Sequence, residues 1–319
     1  MISKPIYIRF YTDYPTCNFS CPYCIAGHGV HTEKGLSPWS VATYNSVVEN
    51  LAKVDFDFNI RIGVGGEFFV SKDLVDGARR LSNVKHAAGI NLITNLSLSK
   101  QQYDKALTGF DGSKLAFVAS LHPTEVADID AWLSTASLMN EQYDLVVMLV
   151  AYPPLVGSLV PTRQRVLDAG LECFVQPYIG EYNGVVYPSA YTPAEMEVVK
   201  SVMYSRHDLE YLLNVKRPGI CNAGYKYLYV SPEGKVFSCG SNTSTGAQIG
   251  DLTVSSEIRF ADGPRPCPVN SCQCDTENMN TLEFGLHYNR AGINQHRYSY
   301  KFTEEARLSP WMDEWVIKY

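Results

Sequence analysis

The sequence has no apolar run of the roughly 18 residues that a membrane-spanning helix needs. Its longest candidate, LVVMLVAYPPLVGSLV, is interrupted by Pro153, Pro154 and Gly157 and reads as a buried strand with its exit loop. The start, MISKPIYIRFYTDYP, is too polar for a secretory signal and has the aromatic and β-branched character of a strand. Positive charge is scarce. The chain carries 27 Lys and Arg against 33 Asp and Glu, a net charge of −6, which leaves no basic footprint for nucleic acid. No low-complexity segment or short-period repeat is present. These absences predict a soluble, cytoplasmic protein with neither nucleic acid nor membrane as a partner. At 319 residues and 45% hydrophobic content, the chain suits one large α/β domain with a smaller appendage.

What the sequence does have is cysteine in an arrangement unsuited to disulfides. Nine cysteines are an odd number, and a chain this long in a reducing compartment needs no covalent staples. Cys17, Cys21 and Cys24 fall within the stretch CNFSCPYC; Cys173 stands alone; Cys221, Cys239, Cys267, Cys272 and Cys274 crowd the last third. Two separated groups predict two metal sites. One or two structural zinc sites are the alternative reading, with His28 or His31 completing the front set. Cys173, at the start of a strand, reads as a small buried core residue.

Between the two groups the pattern alternates. PIYIRFYT reads as a strand and SPWSVATYNSVVENLAKV as a helix, with Ser37 as its N-cap before Pro38. Strand-like FNIRIGVGGEFF, GINLITN, KLAFVASLH, DLVVMLVAY and ECFVQPYIG are each followed by a helical segment, the sixth being TPAEMEVVKSVMYS. Short apolar strands alternating with helices predict a parallel sheet. Six units are too few for a full eight-fold barrel and predict an open one, whose chemistry sits at the C-terminal strand ends. The three front cysteines lie just after the first strand, at that rim. Three thiolates on an iron–sulfur cube leave one iron open.

Cys-x3-Cys-x2-Cys after the first strand of a partial (β/α)6 barrel resembles the radical S-adenosylmethionine (radical SAM) superfamily. The resemblance implies an open-site [4Fe–4S] cluster on Cys17, Cys21 and Cys24, with Tyr23 as the aromatic residue before the third cysteine. It further implies that Gly65, Gly66 and Glu67, ending the second strand, receive the methionyl ammonium of S-adenosylmethionine. Thr94 and Asn95 end strand three and Ser120 ends strand four; by resemblance they hold the cofactor's ribose or carboxylate. His122 reads equally as a loop residue or a ligand. Residues 1–205 would form this barrel.

The C-terminal stretch CNAGYKYLYVSPEGKVFSC, with Cys221-x12-Gly234-x4-Cys239, resembles the opening of the twitch and SPASM domains, which carry auxiliary clusters in that superfamily. It is itself hairpin-like, two aromatic and β-branched runs around SPEG, which would bring Cys221 and Cys239 to one end of two paired strands. Five cysteines fit the twitch form, with a single auxiliary [4Fe–4S] cluster, better than a full SPASM domain. Cys221, Cys239 and two of Cys267, Cys272 and Cys274 are then the expected ligands; the close spacing of Cys272 and Cys274 favours them as ligands and Cys267 as the spare thiol. Residues 206–285 would form this unit and 286–319 a tail packed on the barrel.

The resemblance implies an oxidoreductase or epimerase. S-Adenosylmethionine is cleaved reductively to a 5′-deoxyadenosyl radical, with a flavodoxin- or ferredoxin-type electron donor, and hydrogen is abstracted from a substrate C–H bond. An auxiliary cluster accepting an electron gives dehydrogenation; a spare thiol returning hydrogen gives epimerisation. The barrel's start near Met1 leaves no room for a fused leader-recognition domain, which favours a small polar, sugar- or aminocyclitol-like substrate over a ribosomally made peptide. Gln176, Tyr178 and Glu181, in the loop after strand six, are the expected substrate contacts.

Overall fold

The computed structural model describes residues 5–24, 40–202, 220–240 and 248–266. Six strands, β1 (Ile6–Thr12), β2 (Phe58–Val64), β3 (Ala87–Thr94), β4 (Leu115–Ser120), β5 (Asp144–Ala151) and β6 (Glu172–Pro177), pair in parallel in chain order. Helices α1 (Val41–Leu51), α2 (Lys72–Ser82), α3 (Lys100–Ala106), α4 (Ile129–Asn140), α5 (Val156–Asp168) and α6 (Pro193–Val202) follow them one by one. The expected open parallel barrel is the architecture found.

Local sequence explains where the helices begin. Ser71 accepts from the Leu74 N–H, and Asp128 from that of Ala131. Ser99 and Gln102 form a reciprocal capping box, and Thr192 and Glu195 exchange bonds in the same manner. Each such cap contributes about 1 kcal/mol by satisfying an orphan donor. The first helix is capped by Ser40, which accepts from Thr43, and not by Ser37, which lies outside the described residues.

Alternation along the strands separates two faces. Ile6, Ile8 and Phe10 of β1 share the main core with Tyr44, Val47, Val48 and Leu51 of α1, and Phe10 stacks on Tyr44 at 5.7 Å. The concave face holds a second cluster of Ala116, Val118, Val146 and Phe174, with Ile93 and Met148 packed against it. Cys173, in β6, is 1% exposed and belongs to the main core, as its reading as a buried core residue requires. Deeper on the concave face, Asn91 is fully buried, and among the described residues neither polar atom of its side chain has a hydrogen-bond partner.

After β6 the chain turns a small antiparallel hairpin, β7 (Gly180–Tyr182) and β8 (Val185–Tyr187). Asn183 and Gly184, with φ of 51° and 77°, supply the two left-handed positions that a tight two-residue turn demands. Further on, β9 (Ile220–Cys221) pairs with β13 (Arg265–Pro266). The expected hairpin forms as β10 (Tyr227–Val230) and β11 (Lys235–Phe237), with β12 (Gly250–Asp251) beside β11. It continues the main sheet: β10 runs parallel to β1, Tyr7 facing Tyr227 and Phe10 facing Val230, so nine strands among the described residues form one sheet.

Candidate functional site

The loop after β1, residues 13–24, carries all three front thiols and is pinned from two sides. From β2, the Gly65 N–H donates to the Thr12 carbonyl at 3.1 Å and the Glu67 N–H to the Thr16 carbonyl at 2.9 Å. Gly66 makes this approach possible, because a β-carbon there would sit 2.0 Å from the Thr16 oxygen. From the loop after β4, the Glu125 carboxylate accepts from the Ser20 N–H at 3.1 Å. Within the loop, the Cys24 N–H donates to the Cys21 carbonyl, turning the chain between the second and third thiols.

Glu67 is 2% exposed and its carboxylate is bound by three donors. Oε1 accepts from the Phe69 N–H at 3.2 Å and the Thr94 hydroxyl at 2.7 Å; Oε2 accepts from the Asn95 N–H at 2.6 Å. Burial pushes its pKa up to about 6, and these donors hold it from rising further. Glu67 therefore ties the end of β2 to the end of β3, with one lone-pair direction left for a further donor.

Asn95 faces the first thiol. Its Nδ2 lies 3.8 Å from Cys17 Sγ and 2.9 Å from Asn18 Oδ1, while its Oδ1 accepts from the Ser97 N–H at 3.1 Å. Its carbonyl accepts from Trp132 Nε1 at 2.9 Å. The Phe19 N–H adds a second donor to Cys17 Sγ at 3.4 Å.

The three thiols open into one cavity of about 200 Å³ at the C-terminal ends of the strands. Gly65, Gly66, Glu67, Thr94 and Asn95 line one side of it, and Ser120, His122, Gln176 and Tyr178 the other. Phe19, Ile93, Met148, Val150, Pro177 and Ile179 supply apolar wall. Tyr23 packs on Tyr152 with ring centroids 4.7 Å apart and meets His122 Nδ1 through its hydroxyl at 3.2 Å. Burial lowers the His122 pKa to about 4, so the ring is neutral near pH 7.

The donor set fits an iron–sulfur group. It offers three soft sulfurs on one short loop, one of them already met by two N–H donors, as thiolate ligands commonly are. Among the described residues no three His, Cys, Asp or Glu side chains are gathered as they would be around a single metal ion. All three thiols line the one cavity. Burial, with Glu125 as the next cause, pushes the Cys21 thiol up to about 12, and burial also raises that of Cys17. A metal would have to displace those protons.

Of the residues expected from sequence, Cys17, Cys21, Cys24, Tyr23, Gly65, Gly66, Glu67, Thr94, Asn95, Ser120, Gln176 and Tyr178 all come to this one cavity. Glu181 does not: it lies in β7, exposed, and is absent from the lining. The Asn-Gly turn just beyond it was the signal that a hairpin would carry its side chain away. Tyr178 donates its hydroxyl to the Glu181 carbonyl at 2.8 Å. Sequence reasoning missed the apolar wall of Met148, Val150 and Ile179, and Glu125 as a brace. Strand alternation would have marked the first two as facing the concave side; nothing local marks Glu125. Cys239 is buried beside Tyr7, Ala223 and Tyr227. Cys267, Cys272, Cys274, the tail 286–319, His28 and His31 lie outside the described residues, as does the side chain of Cys221.

No protein-family model matches the chain, and no curated protein matches it. Solved structures do resemble it. Native anSMEcpe with bound AdoMet is 14% identical over 87% of this chain and 81% of that one, with a TM-score of 0.51. A hexahistidine-tagged form of anSMEcpe with bound AdoMet is 15% identical over 96% and 86%, also at 0.51. BtrN in complex with AdoMet and 2-DOIA is 17% identical over 79% and 80%, at 0.43. At these identities the anSMEcpe likeness establishes a shared fold.

Proposed function

We propose that the chain is a radical SAM enzyme acting on a C–H bond of a small polar, sugar- or aminocyclitol-like molecule, by dehydrogenation or epimerisation. One observation carries this reading. Three thiols on a single loop open into the cavity at the C-terminal ends of parallel strands, beside Gly65, Gly66 and Glu67. The fold shared with AdoMet-bound anSMEcpe supports it. Cys17, Cys21 and Cys24 would hold an iron–sulfur cluster, and Cys221, Cys239, Cys272 and Cys274 an auxiliary one. When bound, the front cluster and S-adenosylmethionine together supply a radical able to remove hydrogen from an unactivated carbon.

The remaining work falls to the chain. Gly65 and Gly66 present backbone without side-chain obstruction, and Glu67, whose Oε2 accepts one bond among the described residues, lines the cavity and would receive a cationic nitrogen. The Ser120 hydroxyl and the Gln176 amide make no hydrogen bond to the described residues, although both line the cavity, so they are available to substrate hydroxyls. Met148, Val150, Tyr178 and Ile179 exclude water around the reacting carbon. Neutral His122 orients the Tyr23 hydroxyl and adds no charge.

The test is anaerobic purification of the wild type and of a variant with Cys17, Cys21 and Cys24 all changed to Ala. The wild type should be brown and cleave S-adenosylmethionine under a low-potential reductant; the variant should not. A colourless, zinc-bearing wild type, or cleavage at wild-type rate by the variant, overturns the proposal.

A further inference from the structure

We infer that Asn95 is a sulfur hydrogen-bond donor that sets the reduction potential of the group held on Cys17, and that it does not hold the cofactor; this rests on the iron–sulfur reading above. Both hydrogens of its amide nitrogen are already committed to the cysteine loop, one toward Cys17 Sγ at 3.8 Å and one to Asn18 Oδ1 at 2.9 Å. The Ser97 N–H donates to Oδ1 at 3.1 Å, which fixes which end of the amide is nitrogen. Asn18 in turn donates to the Ser97 hydroxyl at 2.9 Å, closing a ring of bonds around the amide. The backbone beneath is held by Glu67 at the N–H and Trp132 at the carbonyl, and Asn95 is 5% exposed. The amide is thus immobilised before any ligand arrives, with no N–H left for a ribose or carboxylate.

The arrangement is asymmetric. Cys17 receives donors from Asn95 and from the Phe19 N–H, whereas among the described residues no neighbouring residue donates to the sulfur of Cys21 or Cys24. A donor at a ligating sulfur stabilises negative charge there, and reduction adds charge to the cluster and its sulfurs. The donor therefore favours the reduced state and raises the potential. Asn95 makes one corner of the group easier to reduce, and the buried Glu67 carboxylate nearby works in the opposite direction. Asn95 is a positioning residue acting through Cys17.

The experiment compares the wild-type holoprotein with Asn95→Leu, which removes the donor, and Asn95→Ser, which keeps a shorter hydroxyl. An EPR-monitored redox titration reads the midpoint potential, and calorimetry reads S-adenosylmethionine affinity. The expected result is a more negative midpoint in Asn95→Leu and a smaller negative shift in Asn95→Ser, with affinity retained in both. An unchanged midpoint in both variants overturns the inference, as does a loss of affinity without a shift in midpoint. Folded variants that no longer load iron also overturn it, since Asn95 would then serve assembly. A wild type that binds no iron–sulfur group defeats the parent reading, and that failure is visible before any variant is made.

Discussion

The carbonyl oxygen of Thr16 occupies the place a side chain on Gly66 would need: a β-carbon there would lie 2.0 Å away. The atom in the way is backbone and belongs to the residue just before Cys17. Gly66→Ala must therefore push the cysteine loop off the end of β2 and strain the Glu67 N–H to Thr16 bond of 2.9 Å. Overpacking of this kind costs about 1–3 kcal/mol. Urea denaturation should show that loss, and reconstituted iron content should fall with it. Wild-type stability and iron loading would show that the loop is not templated by β2.

Glu67 serves three donors with two oxygens. In Glu67→Gln only one oxygen remains, and the new NH2 must face either the Asn95 N–H or the Phe69 N–H and Thr94 hydroxyl. Leaving a buried donor unsatisfied costs about 1–3 kcal/mol. We expect a lower urea midpoint at pH 7 with an unchanged denaturant slope. Equal midpoints would mean that these bonds contribute no net stability.

His122 gives a pH signature. Its folded pKa is lowered to about 4 from an ordinary value of 6.5, so its neutral form contributes stability that is complete above pH 6.5 and lost as pH falls toward 4. Glu67, raised to about 6 from 4.5, has the opposite sign: its contribution is complete below pH 4.5 and lost as pH rises through 6. The two partly cancel in the wild type. The difference in unfolding free energy between wild type and His122→Gln should therefore grow steadily with pH from 4 to 6.5 and then level off. A pH-independent difference would show that burial does not depress this histidine.

Trp132 reaches across from α4 to the Asn95 carbonyl. Trp132→Phe keeps an aromatic ring but leaves that carbonyl without its Nε1 donor, a loss of about 1–3 kcal/mol. Amide exchange at Asn95 and Leu96 should accelerate more than in α5 or α6. Uniform acceleration across the fold would mean that the bond does not act locally.

Asn91 offers the reverse outcome. Its side chain is 0% exposed and finds neither a donor nor an acceptor partner among the described residues. Asn91→Leu, which keeps the branched shape and the number of side-chain heavy atoms, should raise stability by about 1 kcal/mol because it removes a desolvated amide. A lower urea midpoint would reveal a polar partner, such as an ordered water, at the base of the concave face.

Much of this was legible in the sequence because it is local. Six apolar strands alternate with capped helices, so the parallel order and its rim followed from pattern, and the rim located the cysteines. Glycines at 65 and 66 marked a strand end for the same reason. What sequence did not disclose are the meetings of distant residues: Glu67 with Thr94 and Asn95, Ser20 with Glu125, Asn95 with Cys17. Each depends on which side of a turn a polar group emerges, which no periodicity encodes. Glu181 leaves the cavity because the left-handed pair Asn183 and Gly184 turns the chain into a hairpin just beyond it. The hairpin of β10 and β11 was readable as a hairpin, but its edge partner was not, since aromatic and β-branched strands suit either edge of a sheet.

Because β10 lies hydrogen-bonded along β1, the thiol loop and Cys239 are tied to opposite ends of one strand pair. The thiol loop leaves β1 at Thr12, whereas Cys239 packs beside Tyr7 near the strand's beginning. Their separation is set by the length of one seven-residue strand. Neither hinge nor domain closure can shorten it without breaking the ladder from Tyr7 to Phe10. The stacked rings of Tyr7 and Tyr227 stand at the Cys239 end of that span.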